Sequence, residues 1–217
     1  MSEEAASPPF PADADSALEP APRKRPRPGE RRTQILQALA SMLEQPGAER
    51  VTTAALAARL EVSEAALYRH FASKAQMFEG LIDFIEQSVF SLVAQIAERG
   101  AAEGGAWQAG RVVGAVLQFA ERNPGMARVM VGDALVFEHE RLQQRMNQLF
   151  DRLESTLRQC LRPAEEAAGS ATPTVHAQVR ASVLCAFLQG RLQRYARSGF
   201  RKAPGEHLEA SLALLLS

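Results

Sequence analysis

Residues 51–71 of the chain have the sequence VTTAALAARLEVSEAALYRHF. The stretch contains two short helical patterns, which we place at 53–60 and 64–70. Thr52 precedes the first pattern and Ser63 precedes the second, and a hydroxyl at such a position accepts a hydrogen bond from a free backbone amide at the helix start. Two short helices with so tight a link form a helix-turn-helix, predicted at about 52–71.

The apolar side chains of this stretch predict a small three-helix core. Its expected members are Leu56, Ala57, Leu60, Val62, Ala66 (or Ala65), Leu67 and Phe71. The opposite side of the second short helix carries hydroxyl, imidazole and guanidinium groups that are placed to meet phosphates and base edges. A small alanine on that side lets the helix sit deep in the major groove of DNA.

The polar side therefore predicts a DNA-binding surface. Helix-start residues add groups placed for backbone phosphates, and the predicted DNA-binding residues are Thr52, Thr53, Ser63, Glu64, Ala65, Tyr68, Arg69, His70 and Lys74. Taken alone, the same residues also suit an ordinary solvated helix.

The rest of the chain has helical patterns and no strand patterns, so the fold should be all-α. Ser73 and Gln76 have the spacing of a capping box that starts a long helix. Asn123 and Pro124 are a cap and first-turn pair for a later one. We expect helices at 31–44, 53–60, 64–70, 73–99, 107–121, 124–135, 137–162, 173–198 and 206–216.

The first 28 residues differ in composition from the rest. Seven of the 12 prolines lie before residue 29, and 1–22 holds little apolar surface to bury, so we predict a disordered leader. The charge then turns basic at Arg23, Lys24, Arg25, Arg27, Arg31 and Arg32. Such a tail either supplies phosphate contacts to an adjacent DNA-binding domain or acts as a solubilising leader.

Charge balance and cysteine content exclude several classes of protein. Lys plus Arg and Asp plus Glu both number 25, which excludes a globally cationic DNA coat and confines nucleic-acid binding to a local patch. Cys160 and Cys185 lie in apolar helical patterns, so we expect reduced core thiols. No apolar run approaches the roughly 18 residues of a membrane span, and we expect a soluble cytoplasmic protein.

The sequence offers no group of residues suited to catalysis or metal binding. Four histidines, at 70, 139, 176 and 207, are too scattered for a helical metal pair. Glu138, His139 and Glu140 are consecutive and would fan around a helix, and the glycines at 100–105 lack the lysine of a phosphate-binding loop. We expect no enzyme activity, no cofactor and no metal site.

The run from Thr52 to Lys74 resembles the N-terminal DNA-binding domain of TetR-family regulators, most specifically at LYRHF (67–71) and the following Ser73 and Lys74. The resemblance implies a three-helix DNA-binding domain followed by a larger helical domain for dimerisation and partner binding. We divide the chain accordingly into 1–28, 29–89 and 90–217. The family usually has glycine where this chain has Glu61, which must adopt a conformation that glycine reaches at lower cost.

The second domain resembles one group of that family, the SlmA-type nucleoid occlusion factors, at MFEGLIDFIE (77–86), ERNPG (121–125) and ALVFEHERLQQRMNQLF (134–150). The resemblance covers about 31–162 well and the remainder more loosely. It implies a homodimer, with one or more dimers per site, on palindromic chromosomal DNA. It also implies that the bound dimer engages the C-terminal tail of the tubulin-like GTPase FtsZ and blocks septation over the nucleoid. The alternative is a ligand-responsive TetR-type repressor.

The same resemblance implies a partner-binding face. The long helix has an apolar stripe, and Phe84 lies off that stripe on a polar side. The residues that match the FtsZ-tail site are Phe84, Arg122 and Asn123. Packing beneath a neighbouring helix would equally explain the aromatic residue, and helix capping would explain the asparagine. The chain departs from the group at Leu92, where a basic residue is usual, and at Gln118, where glycine is usual.

Small and apolar residues on one side of the penultimate helix predict a dimer interface. They are Val175, Val179, Val183, Ala186, Phe187 and Gly190, and Leu208, Leu212 and Leu215 of the last helix are expected to complete a four-helix arrangement. Burial within the subunit is the alternative. A twofold dimer must place its recognition helices about 34 to 36 Å apart, so the DNA target should be palindromic.

Overall fold

The structure is a computed structural model that describes residues 29–45, 51–100 and 102–217. The predicted leader, with its basic residues Arg23, Lys24, Arg25 and Arg27, lies outside the described residues. So do the proline and glycine at 46 and 47, near which the first helix is predicted to end.

The described residues form nine α-helices and one short 3-10 helix, with no strand among them, and the all-α prediction is confirmed. The helices are α1 (Glu30–Leu43), α2 (Thr53–Arg59), α3 (Glu64–Tyr68), α4 (Lys74–Arg99), α5 (Gly105–Arg122), α6 (Pro124–Met130), α7 (Glu140–Ala167), α8 (Pro173–Arg197) and α9 (Leu208–Leu216), with the 3-10 helix at Asp133–Leu135 between α6 and α7.

Helices α1, α2 and α3 form a three-helix unit, which we call the reader, and its apolar side chains belong to the same core cluster as those of the following helices. Its fully buried side chains are Ile35, Leu39, Leu43, Leu56, Ala57, Leu67 and Phe71. Leu60 and Val62 are half-buried against this core. Ala66 is half-buried and Ala65 is exposed, which resolves the choice between them. The predicted core is therefore confirmed, with Val51 as a buried residue that the sequence pattern did not indicate.

Helix α4 connects the reader to the larger second lobe, formed by α5 to α9, and it packs against α1, α5, α6 and α7. The apolar stripe predicted for the long helix consists of Phe78, Leu81, Ile82, Ile85, Val89, Val93 and Ile96. Its members up to Val89 are buried, together with Met77, whereas Val93 and Ile96 are half-buried. The domain boundary predicted at residue 89 falls inside this continuous helix. The division into domains stays a prediction.

By length and composition, α4 is the one helix in the described ranges that is long and apolar enough to cross a membrane. The expectation that no stretch of the chain approaches a membrane span in length and apolar character is therefore wrong for α4. Within the fold, one side of α4 is buried in the core, and Glu79, Asp83 and Glu86 on another side pair with arginines of α7.

Helices α7 and α8 make the most extensive helix pair among the described residues and form the centre of the second lobe. Their buried side chains include Leu149, Leu153, Leu157, Leu184, Leu188 and Leu192. The start of α5 lies against α7 so closely that a Cβ on Gly105 would overlap the carbonyl oxygen of Cys160. A side chain at residue 105 would therefore separate the two helices.

Helix α7 continues beyond its predicted end at residue 162, and Pro163 lies inside it. Proline in a helix interior removes a hydrogen bond and costs about 3 kcal/mol. Packing offsets that cost, because Leu161 and Glu165 continue the buried face. The carboxylate of Glu165 also accepts a hydrogen bond from Arg180 of α8 at 2.6 Å.

Several predicted helix bounds are wrong by a few residues, and a left-handed residue explains two of these differences. Gly132, at φ 84°, ends α6 early, so the helix predicted at 124–135 becomes α6 and the 3-10 helix. Helix α7 begins after His139, whose Nδ1 accepts from the backbone amide of Arg141 at 3.2 Å. Helix α9 begins at Leu208 because His207 has φ 54°.

The reader contacts the second lobe where α1 crosses α6. Gly125, in the first turn of α6, is buried, and a Cβ on it would overlap the backbone carbonyl of Ala40 in α1. Because that neighbour is backbone and not a flexible side chain, only glycine permits this approach.

Helix α8 is apolar on two opposite sides. One side is buried through Ala181, Leu184 and Leu188, and the other exposes Val175, Val179 and Val183. The last helix behaves differently from the prediction, because Leu208, Leu212 and Leu215 are half-buried against the core of their own subunit. The exposed side of α8 thus matches the predicted interface stripe, whereas this face of α9 is largely used within the chain.

Both cysteines lie in the described part of the chain and are free thiols, as expected. Cys185 is buried and Cys160 is half-buried. Burial raises the pKa of both thiols, so they stay protonated at neutral pH and are poor nucleophiles.

Candidate nucleic-acid interface and partner face

The turn between α2 and α3 contains the left-handed residue that the sequence predicts. Glu61 has φ 54°, a conformation that is costly for a residue with a Cβ. Backbone bonds close the turn around it, from the amide of Glu61 to Ala58 and from the amide of Val62 to Ala57. The helix-turn-helix geometry is therefore kept at the expense of local strain.

Replacement of Glu61 by glycine should stabilise the protein by about 0.5 to 1 kcal/mol, because glycine adopts positive φ without steric strain. Urea denaturation measures the change. Glu61→Ala is the matched control, since it removes the carboxylate but keeps the Cβ and should give no such gain. Equal stabilisation by both variants would contradict the explanation from strain.

Hydroxyl caps start all three helices around the turn, as predicted. Thr52 accepts from the amide of Ala55 at 3.2 Å, Ser63 from Ala66 at 3.3 Å, and Ser73 from Gln76 at 3.2 Å. The side chain of Gln76 also accepts a hydrogen bond from the amide of Ala72 at 2.8 Å, one residue before the Ser73 amide that a capping box uses.

One side-chain bond ties the two short helices together. The Thr53 hydroxyl donates to the Glu64 carboxylate at 2.6 Å, which links the start of α2 to the start of α3. Both residues are predicted DNA contacts, and this bond orients them in the free protein. The local sequence pattern does not indicate this bond.

Helix α3 is shorter than predicted and ends at Tyr68, so Arg69 and His70 lie in the turn that follows. All three side chains are exposed, and so are Ser63, Glu64 and Ala65. The structure thus brings the predicted reading residues to one exposed side of α3 and its C-terminal turn.

Arg32, part of the predicted basic segment, has a structural role in the reader. Its guanidinium donates to the backbone carbonyl of His70 at 2.6 Å and lies 4.1 Å from the centre of the Phe71 ring. These contacts hold α1 against the end of α3.

Lys74, a predicted phosphate contact, is half-buried and already paired. Its ammonium forms an ion pair with Glu138 of the second lobe and lies 5.6 Å from the centre of the Phe78 ring. The prediction that residues 138–140 fan around a helix is wrong for Glu138, which lies before α7 and has only 9% of its side chain exposed.

Further ion pairs continue along the α4–α7 contact. Arg141 contacts Glu79 at 2.8 Å, and Arg145 contacts Asp83 at 2.9 Å and Glu86 at 2.7 Å. Burial alone would lower the pKa of Arg145, but hydrogen bonds and charges of the two carboxylates raise it above its ordinary value. The first half of α4 is thus held to α7 by charged contacts.

Two of the three predicted partner-binding residues, Phe84 and Asn123, contact Phe119. Phe84 is 45% exposed, and its ring centre lies 6.2 Å from that of the buried Phe119. The side-chain amide of Asn123 donates to the Phe119 carbonyl at 2.7 Å. Asn123 therefore caps the end of α5 and not the start of α6, and the adjacent Arg122 is exposed.

A groove of about 780 Å³ lies between α4, α5 and α9. Leu92 and Gln118, the two departures from the SlmA pattern, both line it. Its apolar lining includes Ile96, Leu208 and Leu212, and arginines at 99 and 111 border it. None of Phe84, Arg122 and Asn123 is among the residues that line this groove.

Comparison with known proteins identifies the family. Residues 35–81 match the model of the bacterial regulatory proteins of the tetR family, and residues 108–217 match the SlmA-like model of the tetracyclin repressor-like C-terminal domain. The nucleoid occlusion factor SlmA of Vibrio vulnificus (strain YJ016) is 50% identical over 187 residues, which cover 85% of this chain and 93% of that protein. The chain belongs to the SlmA family.

SlmA of Vibrio cholerae serotype O1 is 49% identical over the same length, again covering 85% of this chain and 93% of that protein. Members of the SlmA family are TetR-type DNA-binding regulators and not enzymes, so the chain is a DNA-binding regulator. Within the described residues, no group of three His, Cys, Asp or Glu side chains is placed to hold a metal ion.

Solved structures show the same fold at low sequence identity. The TetR-family regulator PfmR of Thermus thermophilus has a TM-score of 0.68 at 22% identity, with 84% of this chain and 97% of that chain covered. FadR of Bacillus subtilis, solved with stearoyl-CoA, has a TM-score of 0.65 at 14% identity, with 85% and 97% covered. These structures confirm the TetR-like architecture of the SlmA-family chain.

Proposed function

We propose that the chain is a nucleoid occlusion factor that binds palindromic chromosomal DNA as a dimer and, while bound, engages the C-terminal tail of FtsZ. Division rings then fail to assemble over the nucleoid, where this cytoplasmic protein resides. The observation that carries the proposal is the 50% identity with SlmA along 85% of the chain.

The reader supplies the DNA-binding half of the proposal. Its predicted contacts divide by position: Ala65, Arg69 and His70 face base edges, while Thr52 and Tyr68 serve phosphates. The exposed stripe of α8 would pair two subunits through a twofold axis, which presents two readers to successive turns of the major groove. One or more such dimers would occupy a palindrome.

The α4–α5 side supplies the partner half of the proposal. Phe84 offers an exposed aromatic anchor, and Arg122 offers a cation for an acidic peptide or its terminal carboxylate. Asn123 supports the site by fixing the end of α5 through the Phe119 carbonyl. An extended tail would lie along the groove, with its apolar residues against the aliphatic lining.

The test is a polymerisation assay with purified FtsZ, GTP and this protein, with or without a palindromic duplex recovered by genome-wide mapping of its bound sites. Inhibition that requires the duplex supports the proposal. FtsZ polymerisation that is unaltered at every ratio, in a preparation that binds the duplex normally, overturns the FtsZ half of it.

Phe84→Ala and Tyr68→Ala should separate the two activities. Both aromatic residues are 45% exposed, so each variant is a matched control for the other. Phe84→Ala should weaken binding of the FtsZ tail peptide by about 1 to 3 kcal/mol and leave DNA binding intact, since the residue anchors the peptide. Tyr68→Ala should do the reverse. Fluorescence anisotropy with labelled peptide and labelled duplex measures both affinities, and equal loss of both in Phe84→Ala would show that the residue is structural.

The alternative function is that of a ligand-responsive repressor. The groove favours it, because small-molecule sites have volumes of about 300 to 1,000 Å³. It predicts a small apolar molecule that occupies the groove and lowers DNA affinity. Competition between such a molecule and the FtsZ tail peptide would place both ligands in the same groove, whereas a response of DNA binding without peptide binding would favour the repressor.

A further inference from the structure

The ion pair between Lys74 and Glu138 joins a predicted DNA contact to the second lobe. Lys74 is the first residue of α4, and Glu138 lies before α7, 64 positions further along the chain. The Lys74 side chain is 25% exposed and that of Glu138 is 9% exposed. A buried carboxylate of one lobe thus holds a cation at the edge of the DNA-binding surface of the other.

The carboxylate opposes phosphate binding in either geometry of the complex. If Lys74 turns towards a phosphate, the ion pair with Glu138 must break. If Lys74 stays with Glu138 and shares its remaining donors with a phosphate, the two anions approach each other across one ammonium group. The first case loses the ion pair, and the second brings two like charges close together in a partly buried site. Each case therefore lowers the contribution of Lys74 to DNA affinity.

We propose that Glu138 is a positioning residue that sets the DNA affinity of the protein by withholding the charge of Lys74 from the phosphate backbone. The proposal rests on the DNA-binding function and is independent of FtsZ. Phosphate contacts carry no sequence information. The effect of Glu138 is therefore the same on every duplex, and it lowers the salt dependence of binding as well as the affinity.

Glu138→Gln removes the charge and keeps the shape of the side chain. In the full-length protein, this variant binds a short duplex of arbitrary sequence about 5 to 30 times more tightly at low salt, as expected for two partly buried ion pairs per dimer. The slope of log K against log salt also becomes steeper, by up to about 0.9 for each lysine released. A palindromic duplex shows the same factor.

Glu140→Gln is the matched control, because it removes the same charge two positions away, at an exposed residue whose carboxylate accepts from Gln144 at 3.3 Å. It leaves affinity and slope nearly unchanged. In a Lys74→Met background, Glu138→Gln has no further effect on binding. An equal gain in Glu140→Gln, or a gain that persists without Lys74, overturns the proposal.

A second measurement covers the case in which Glu138→Gln loses its fold, which thermal unfolding detects. Lys74→Met in an otherwise wild-type chain then lowers the salt slope by clearly less than the value of about 0.9 for a fully engaged lysine in each subunit. If Lys74→Met lowers the salt slope by the full value of about 0.9 for each subunit, Lys74 is fully engaged with phosphate and the proposal about Glu138 is wrong. If the wild-type protein binds no duplex at low salt, the proposed DNA-binding function is wrong. That result is distinct from a failure of the proposal about Glu138.

Discussion

Gly125→Ala is expected to destabilise the protein by about 1 to 3 kcal/mol or more, as overpacking in a buried contact does. The added methyl group would overlap the carbonyl oxygen of Ala40, and a backbone group has no alternative rotamer to adopt. Helix α1 must therefore move away from α6. Because α1 belongs to the reader and α6 to the second lobe, we also expect DNA affinity to fall by more than the loss of stability alone would cause.

Gly114→Ala is the matched control for this variant. Gly114 lies inside α5, and a Cβ there would meet only the side chain of Leu208 at 3.5 Å, an ordinary contact. Alanine is favoured over glycine inside a helix, so this control should gain up to about 1 kcal/mol. Denaturant unfolding and a duplex titration measure both variants. Wild-type stability and DNA affinity in Gly125→Ala would show that the helix contact tolerates a side chain.

Val179→Glu is expected to convert the dimer to monomers and to weaken binding of a palindromic duplex by at least about 100-fold. Val179 is 57% exposed on the side of α8 opposite the buried face. In a twofold interface the substitution places two carboxylates in apolar surroundings, and burial of an unpaired charge is costly. A monomer then loses the gain of about 10² to 10⁴ that a second linked binding module provides.

Light scattering gives the oligomeric state, and a duplex titration gives the affinity. Ala94→Glu, at an exposed position of α4, adds the same charge to the surface and should change neither property. A Val179→Glu protein that stays dimeric would place the subunit interface elsewhere and remove the role proposed for this stripe.

Local features of the fold were predictable because they depend on residues that are close in sequence. The caps at Thr52, Ser63 and Ser73 follow from the identity of one residue and its immediate neighbours, whereas the left-handed Glu61 was expected because the TetR family usually has glycine there. Helix ends were less predictable. The extension of α7 through Pro163 depends on packing against another helix, which the local pattern does not contain.

One distant contact and one local alternative account for the errors at the candidate site. Glu138 pairs with a lysine 64 positions earlier, and nothing in its own neighbourhood indicates that partner. Asn123 has the sequence context of a helix start, yet its side-chain amide donates to the Phe119 carbonyl four positions earlier, so that it caps the helix before it. The position of Phe84 off the apolar stripe was predictable, since helical periodicity alone determines it.

The continuity of α4 has a mechanical consequence. A helix of 26 residues is a rod of about 39 Å, so a tilt of about 5° at one end displaces the other by about 3 Å, close to the rise of one base pair. A peptide bound beside the C-terminal end of α4 that tilted the helix would displace its N-terminal end, next to the DNA, by a comparable distance. Affinities for duplexes whose half-site spacing differs by single base pairs, measured with and without the peptide, would detect such a shift. The spacing that the protein binds most tightly would then change.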